Sequence, residues 1–352
     1  MYSKNISALL TKCPSCGDDM IFDPDKQCLF CSTCQSRKEI TKIKEYEKHP
    51  FNKTSLSSDD NEEWAKESKV MKCQNCGASV VLQGYMVSAN CPYCSTSLVA
   101  SETGGAGLKP DAVVPFKFGR AKAEELFKVK INKNWLVPKK LKKNLSTDDI
   151  QAYYFPAFVF DCDCHSVYKG VLYNEYTEKD KDGHSHTKRS YFNISGQIAT
   201  THQGVEAEAS SKLSQEELNW VRPYYFTEAC TYSNEYISGY CLECHSDSVR
   251  DSYDVAKSLI YGDIRGQILS RYHYDGVSSL DINTSYNNQK YSYCILPMYR
   301  INFKYKKRTY SNVMNGQTGA LGGKLPRSGW KISLIVLLPI LIFAIIMLLT
   351  MI

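Results

Sequence analysis

Eight cysteines stand in two copies of one spacing. Cys13-x2-Cys16 and Cys31-x2-Cys34 are separated by fourteen residues, and so are Cys73-x2-Cys76 and Cys91-x2-Cys94. The second copy is offset from the first by 60 residues, and both open on Lys-Cys-x-x-Cys-Gly, at 12–17 and 72–77. Each Cys-x-x-Cys step makes a tight turn that aims two sulfurs at one point. Two such turns facing each other supply a tetrahedral four-thiolate shell for Zn2+. The expectation is two zinc ribbons, each holding one structural Zn2+ ion. Four thiolates close the shell and leave no position for water or substrate, so the metal is not expected to be catalytic. A ribbon of roughly 35 residues buries too little apolar surface to offset its own ordering entropy. Zinc–thiolate binding, an apparent ~10–16 kcal/mol in small zinc domains, would supply the missing folding energy.

Other chemistries fit these cysteines less well. A disulfide framework needs an oxidising compartment, and residues 2–11 carry only a two-leucine apolar patch, too short for a signal segment. A redox Cys-x-x-Cys is usually a single pair between a strand and a helix. A rubredoxin-like iron site has the same donor set, and Cys91-Pro-Tyr-Cys94 suits either metal. Cys28 lies three residues before Cys31, but pairing Cys31 with Cys34 restores the fourteen-residue gap and makes Cys28 a spare.

The elements that must carry these sites divide the chain. Ribbon 1 is expected over 1–44, a polar linker over 45–70 with a short helix near 61–69, and ribbon 2 over 71–100. A flexible joint, Ser-Glu-Thr-Gly-Gly-Ala-Gly at 101–107, leads through 110 to a larger domain over 111–323. There, 113–118 reads as a strand and 120–132 as a helix with Ala123, Leu126, Phe127 and Ile131 on one stripe. Residues 151–172 and 191–209 read as extended chain, and Ser214-x-x-Glu217 as a capping box. Residues 247–271 form the longest soluble helix candidate. Several antiparallel strands follow, with Asn315-Gly316 as a hairpin turn. Runs of strands interrupted by a few helices argue for an α+β class with a mixed antiparallel-sheet domain.

At the other end, residues 332–352 run twenty-one positions without a charge. A helix of that length, at ~1.5 Å per residue, spans about 30 Å, the hydrocarbon thickness of a bilayer. Pro339 inside it is tolerable in a membrane helix, and Trp330 and Lys331 suit the interface. A single C-terminal transmembrane helix, a tail anchor, is the expectation. Lys324, Arg327 and Lys331, in the juxtamembrane stretch 324–331, precede it. The positive-inside rule then places the N-terminal domains in the cytoplasm of a single-pass cell-membrane protein.

Charge sorts the function classes. Residues 1–100 hold 12 Lys+Arg and 12 Asp+Glu, so the ribbons lack the basic excess expected of a phosphate-gripping module. Residues 109–143 hold 11 basic against 3 acidic, 144–303 hold 13 against 21, and 304–331 hold 7 against none. A fold that set 122–143 beside the bilayer would hold the domain against anionic lipid. Cys241-Leu-Glu-Cys244-His245 matches a haem-attachment pattern without an export signal. With Cys162, Cys164 and His165 it could form a third metal site, although alternation makes Cys162 and Cys164 neighbours on one strand face and favours buried free thiols. His184 and His186 fall in a polar loop. No nucleophile elbow, Walker loop, metalloprotease motif or dinucleotide fingerprint occurs at a sensible strand–helix junction, and no enzyme is expected.

Beside the paired ribbons stand Leu-Lys-Pro-Asp-Ala-Val-Val-Pro-Phe-Lys at 108–117, Tyr-Phe-Pro-Ala-Phe at 154–158, Pro297 in Leu-Pro-Met-Tyr-Arg, and Met-Asn-Gly-Gln-Thr-Gly at 314–319. With this ordered set the chain resembles the bacterial TFIIB-type zinc-ribbon-containing membrane proteins of Gram-positive bacteria. The resemblance implies a non-enzymatic protein and, in some relatives, a place beside PspA-like and SPFH proteins in the response to membrane stress. Of the functional residues it carries over only the eight ribbon cysteines. Ser32-Thr33 stands where Pro and an aromatic are usual, and Gln35 and Ser95 where glycine is common. The resulting expectation is an adaptor that docks protein partners at the cytoplasmic face of the bilayer. A membrane-associated nucleic-acid-binding protein, related to replication or helicase proteins, is the alternative.

Overall fold

The computed structural model describes residues 12–51, 69–82, 88–94, 96–99, 108–143, 150–181, 184–210 and 212–350. Ribbon 1 contributes β1 (Met20–Asp23), β2 (Cys28–Cys31) and β3 (Arg37–Glu39), a small antiparallel sheet of its own, followed by β4 (His49–Pro50). Ribbon 2 contributes β5 (Lys69–Lys72), β6 (Ser79–Leu82), β7 (Ser88–Asn90) and β8 (Ser97–Val99). The larger domain begins with β9 (Ala112–Val113), α1 (Arg120–Lys133), α2 (Lys139–Lys143), β10 (Ile150–Lys179) and β11 (Ser185–Glu208). It continues through α3 (Gln215–Val221), β12 (Cys230–Thr231), α4 (Asn234–Ile237), β13 (Cys241–Glu243) and α5 (Val249–Leu269). The chain closes with β14 (Gly276–Tyr305), β15 (Arg308–Asn315), β16 (Leu321–Gly323) and α6 (Gly329–Thr350). The α+β class expected from the sequence is the class observed.

The spine of the fold is the antiparallel pair of β10 and β14, each 30 residues long. Their register runs from Ile150↔Ile301 to Tyr173↔Gly276. Along the first half, every residue of β10 from Tyr153 to Phe160 is buried. One face packs Tyr154 with Phe116, Phe127, Ile131 and Tyr299, and the other packs Tyr153, Phe155 and Ala157 with Leu218, Val221 and Tyr224. A strand covered on both faces needs a continuous apolar run, which Tyr-Tyr-Phe-Pro-Ala-Phe-Val-Phe supplies. Beyond Asp161 only one face is covered: Ile260, Ile264 and Ile268 of α5 lie against Cys162, Cys164, Tyr168 and Leu172. There the sequence reverts to alternation, with His165, Val167 and Lys169 exposed.

The capping box is present in full: Ser214 accepts from the Glu217 N–H, and the Glu217 carboxylate accepts from the Ser214 N–H. The Asn315-Gly316 turn differs from the two-residue hairpin expected. Residues 316–320 connect β15 to β16, because Asn315 is used as a buried four-way tie. Its Nδ2 donates to Val221 O (2.9 Å) and Pro223 O (3.1 Å), while Oδ1 accepts from the N–H groups of Gln317 (2.7 Å) and Thr318 (3.0 Å). A side chain at Gly316 would meet the Phe116 ring at 2.4 Å, so that position admits no Cβ.

The expected linker over 45–70 is in its described part a strap. β4 pairs with β14, and Phe51 packs on Phe160 and Tyr253. Thr231 N–H donates to Ile43 O (2.7 Å) and Ser292 Oγ to Glu47 O (2.8 Å). Period-based reading missed this because β4 is two residues long. The short helix expected near 61–69 lies outside the described residues except for Lys69, which opens β5, and the joint at 101–107 lies outside them altogether. The last helix runs unbroken through 22 residues. Its side chains are described without interruption only as far as Ile340, and among the described residues no helix is long and apolar enough to cross a membrane.

Candidate metal centres

Each repeat folds into the same pair of knuckles. In ribbon 1 the Gly17 N–H returns to Cys13 O (2.9 Å) and the Cys13 N–H reaches Asp18 O (2.7 Å). In ribbon 2 the Gly77 N–H returns to Cys73 O (2.7 Å) and the Cys73 N–H reaches Ala78 O (2.8 Å). Gly17 and Gly77 take φ values of +76° and +72°, the left-handed conformation that lets the chain fold back beneath two thiols. The second knuckles repeat the pattern, with Cys31 N–H to Ser36 O (3.0 Å) and Cys91 N–H to Thr96 O (2.9 Å). Gln35, standing where glycine is common, keeps the same left-handed geometry at φ +63°.

The knuckles bring the sulfurs together as the spacing predicts. Cys13, Cys16, Cys31 and Cys34 form one group, and Cys73, Cys76, Cys91 and Cys94 another; within each group all four Sγ atoms lie within 4.8 Å of one another. Sγ–Sγ separations are 3.4 Å for Cys13–Cys34 and 3.5 Å for Cys16–Cys31, Cys73–Cys94 and Cys76–Cys91. A tetrahedron with ~2.3 Å metal–sulfur bonds has edges of about 3.8 Å, so both groups fit a single ion. All eight cysteines are free thiols. Cys28 is buried in β2 outside the group, a spare as expected.

A hydroxyl serves each shell, a feature the sequence reading missed although it obeys the 60-residue offset. Ser36 Oγ lies 2.9 Å from Cys13 Sγ and 3.1 Å from Cys34 Sγ. That hydroxyl draws Cys13 down to about 6 and holds Cys34 below the usual thiol range. In ribbon 2, against the upward push of burial, the Thr96 hydroxyl and N–H bring Cys94 down to about 6. Thiolate is the ligating form, which Cys13, Cys34 and Cys94 approach most readily, whereas Cys16, Cys76 and Cys91 are raised and would give up their protons only to the ion.

Both ribbons dock on one short stretch of the larger domain, 234–243. Ribbon 1 lies face-on to α4: Phe22 packs edge-on against Tyr236 at 5.6 Å, the Phe22 N–H donates to Ser238 O (3.0 Å), and Ser238 Oγ donates to Met20 O (2.6 Å). Gly239, at φ +86°, leaves room for Ile21, which a Cβ would approach to 3.1 Å. Ribbon 2 joins edge-on: β6 pairs with β13 through Val81↔Leu242 and Val80↔Glu243, which adds β6 and β5 to the central sheet. Tyr93, inside the Cys91–Cys94 knuckle, donates its hydroxyl to Glu243. Glu243 is 2% exposed, also accepts from Ser210 Oγ (2.5 Å), and is pushed up to about 7 by burial. The Arg300 guanidinium stacks 4.7 Å from the Tyr93 ring.

The remaining cysteines are not brought together. Cys162 and Cys164 do share a strand face, with sulfurs 3.6 Å apart, in the core beneath α5. Burial pushes Cys162 up to about 12 and raises Cys164. Cys241 and Cys244 pack at other cores, and burial pushes them up to about 11 and 12. His245 accepts the Leu108 N–H through Nε2 at 3.1 Å. Among the described residues only the two ribbon groups gather enough metal-binding side chains. His184 and His186 flank Asp180 at the exposed tip of the β10–β11 hairpin.

No family profile matches this chain, and no solved structure matches it. The chain is similar to the uncharacterized protein YdjG of Bacillus subtilis (strain 168), 26% identical over 325 residues, which cover 92% of this chain and 91% of that one.

Proposed function

We propose that this protein is a membrane-anchored docking adaptor, of the kind its resemblance to the TFIIB-type zinc-ribbon membrane proteins implies. Each ribbon holds one structural Zn2+, α6 spans the bilayer, and the ribbon-bearing domain presents protein-binding surface in the cytoplasm. It acts as a mount and carries out no reaction of its own. PspA-like or SPFH proteins are the expected partners, and membrane stress the setting.

The observation that carries the reading is the bareness of α6. From Ile332 to Ile340 every side chain is exposed, Leu337 at 61% and Ile340 at 59%. Each aliphatic side chain left in water forgoes roughly 1.5–3 kcal/mol of transfer free energy, and no described part of the chain covers them. A surround of lipid resolves that deficit. The cysteine groups add support, because four thiolates around one ion leave no open position for substrate. A cavity of about 360 Å³ beside Tyr46, Lys48, Gly204 and Phe226 offers no reactive pair, since Lys48 is tied to Asp161 at 2.5 Å.

The test is fractionation with pull-down from membranes holding full chain, Cys16→Ser or Cys76→Ser. All three should resist alkaline carbonate, and the variants should each lose one ion and capture less PspA-like or SPFH protein. Carbonate release of the full chain overturns the anchor, and undiminished capture by both variants overturns docking through the ribbons.

A further inference from the structure

The foot of α6 is fastened to the most basic part of the molecule. The Ser328 N–H donates to Leu136 O at 2.8 Å, and Lys331 Nζ donates to Trp135 O and to Val137 O (3.3 Å). The same ammonium sits 5.6 Å from the centre of the Trp135 ring. Lys331 is only 7% exposed, so the expected interfacial cation is a clasp that holds the loop between α1 and α2. The helical hairpin 120–143 therefore stands beside the point where α6 leaves the domain.

That hairpin carries nine Lys+Arg against two acidic residues. Its apolar side, Ala123, Phe127, Ile131 and Leu141, lies in the core, which turns the cations outward. Lys122 and Lys128 are paired with Glu125 and Glu124, whereas Lys139, Lys140 and Lys143 are exposed with no carboxylate partner among the described residues. Lys130 and Lys133 lie in the last turn of α1, where they complement its C-terminal end. The β14–β15 turn belongs to the same end: Phe303 lies 5.8 Å from Phe127, and exposed Lys306, Lys307 and Arg308 follow. Lys324 and Arg327 complete the ring on the approach to α6. Trp135, 51% exposed, and Trp330, 65% exposed, sit among these charges.

We propose that this cationic collar docks on the anionic phosphates of lipid headgroups encircling α6, so that the domain lies against negatively charged bilayer. The inference rests on the membrane reading of α6. Phosphodiesters are the shared chemistry of lipid and nucleic acid. The collar surrounds a bare aliphatic helix and carries exposed tryptophans, a combination that matches a bilayer interface and would obstruct a duplex.

The full chain is reconstituted into vesicles of phosphatidylcholine alone or with about 30% phosphatidylglycerol. Acylation rates of individual lysines are then read by mass spectrometry, with Lys169 on the distant uncovered sheet face as control. Lys139, Lys140 and Lys143 should be protected about fivefold in the anionic vesicles, Lys169 should not change, and about 1 M salt should remove the protection. The triple variant Lys139→Gln, Lys140→Gln, Lys143→Gln should lower the protection of Lys324 while staying in the carbonate-resistant pellet. Equal rates in the two vesicle types overturn the collar even if the pellet is carbonate-resistant. Equal protection in neutral vesicles by inorganic phosphate makes it a small-anion site, and by duplex DNA a nucleic-acid surface; either result overturns the proposal. Carbonate release of the unmodified chain removes the reading of α6 instead, and the collar with it.

Discussion

Ribbon 1 and ribbon 2 share a ligand set, a spacing and a hydroxyl partner, yet they are attached to the domain in opposite ways. Ribbon 1 keeps its own three-stranded sheet and presses a flat apolar face, Met20 and Phe22, onto α4. Ribbon 2 gives two strands to the central sheet and sends Tyr93 into a buried polar pocket. The burial of the ligands follows: Cys16 and Cys34 are exposed, while Cys76 and Cys94 are half-buried. One metal module is thus a docked accessory and the other part of the framework, although identical cysteine patterns specify both.

The largest expected effect separates the two. Cys31→Ser and Cys91→Ser should each reduce bound metal from two ions to one and forfeit most of an apparent ~10–16 kcal/mol of local folding energy. By hydrogen exchange, loss of the first ion should loosen β1, β2 and the 116–119 stretch, where Phe116 O accepts from Gln27 Nε2 (2.6 Å) and the Gly119 N–H donates to Asp25 (3.4 Å). Loss of the second should spread through β13 into β10, and identical exchange patterns would erase the distinction. Phe22→Ala should cost about 3–5 kcal/mol of ribbon 1 docking, seen as protease cleavage within ribbon 1 while ribbon 2 stays intact.

Ribbon 2 should in turn be the pH-sensitive one. Glu243 holds its proton more tightly folded (about 7) than unfolded (4.5), so the folded state binds more protons between those values. The contribution of Glu243 is therefore largest below pH ~4.5, falls as pH rises, and levels off above ~7 after a loss of about 3 kcal/mol, opposite in sign to the acid loss of a thiolate-bound ion. Burial also pushes Glu208 up to about 7, so thermal melts of Glu243→Gln should show a shallower slope and those of Glu243→Gln with Glu208→Gln none; an unchanged slope in the single variant would assign it elsewhere. The smallest effect belongs to ribbon 1: Gln35→Gly should relieve the left-handed backbone there and raise its stability by about 0.5–1 kcal/mol, read by metal competition with a chelator.

The metal centres were legible because Cys-x-x-Cys is a local geometry that survives any tertiary setting. β10 and β11 were legible as extended chain over 151–172 and 191–209, but the length of β14 was not, since 276–323 read as several strands and opens with one of 30 residues. What could not be read was where the ribbons would sit. Ser238 O, Gly239 and Glu243 meet them through backbone atoms, a missing side chain and a lone carboxylate, none of which has a period. The strap at 43–51 escaped for the same reason. Asn315 suggested a two-residue turn and proved a four-way tie, because its partners at Val221 and Pro223 lie more than ninety positions away. Lys331 looked like an interfacial cation, and only the fold could reveal the loop carbonyls waiting for it.

The paired length of β10 and β14 has a mechanical side. From Ile150 to Tyr173 the ladder runs with two small register shifts, on the order of 80 Å at ~3.3 Å per residue before bending. One end packs on α1 through Phe303 and Phe127, 5.8 Å apart, and the other carries the β10–β11 hairpin toward Asp180. Such a strut acts as a spacer: whatever grasps the far tip is held a full ladder's length from the α1 end.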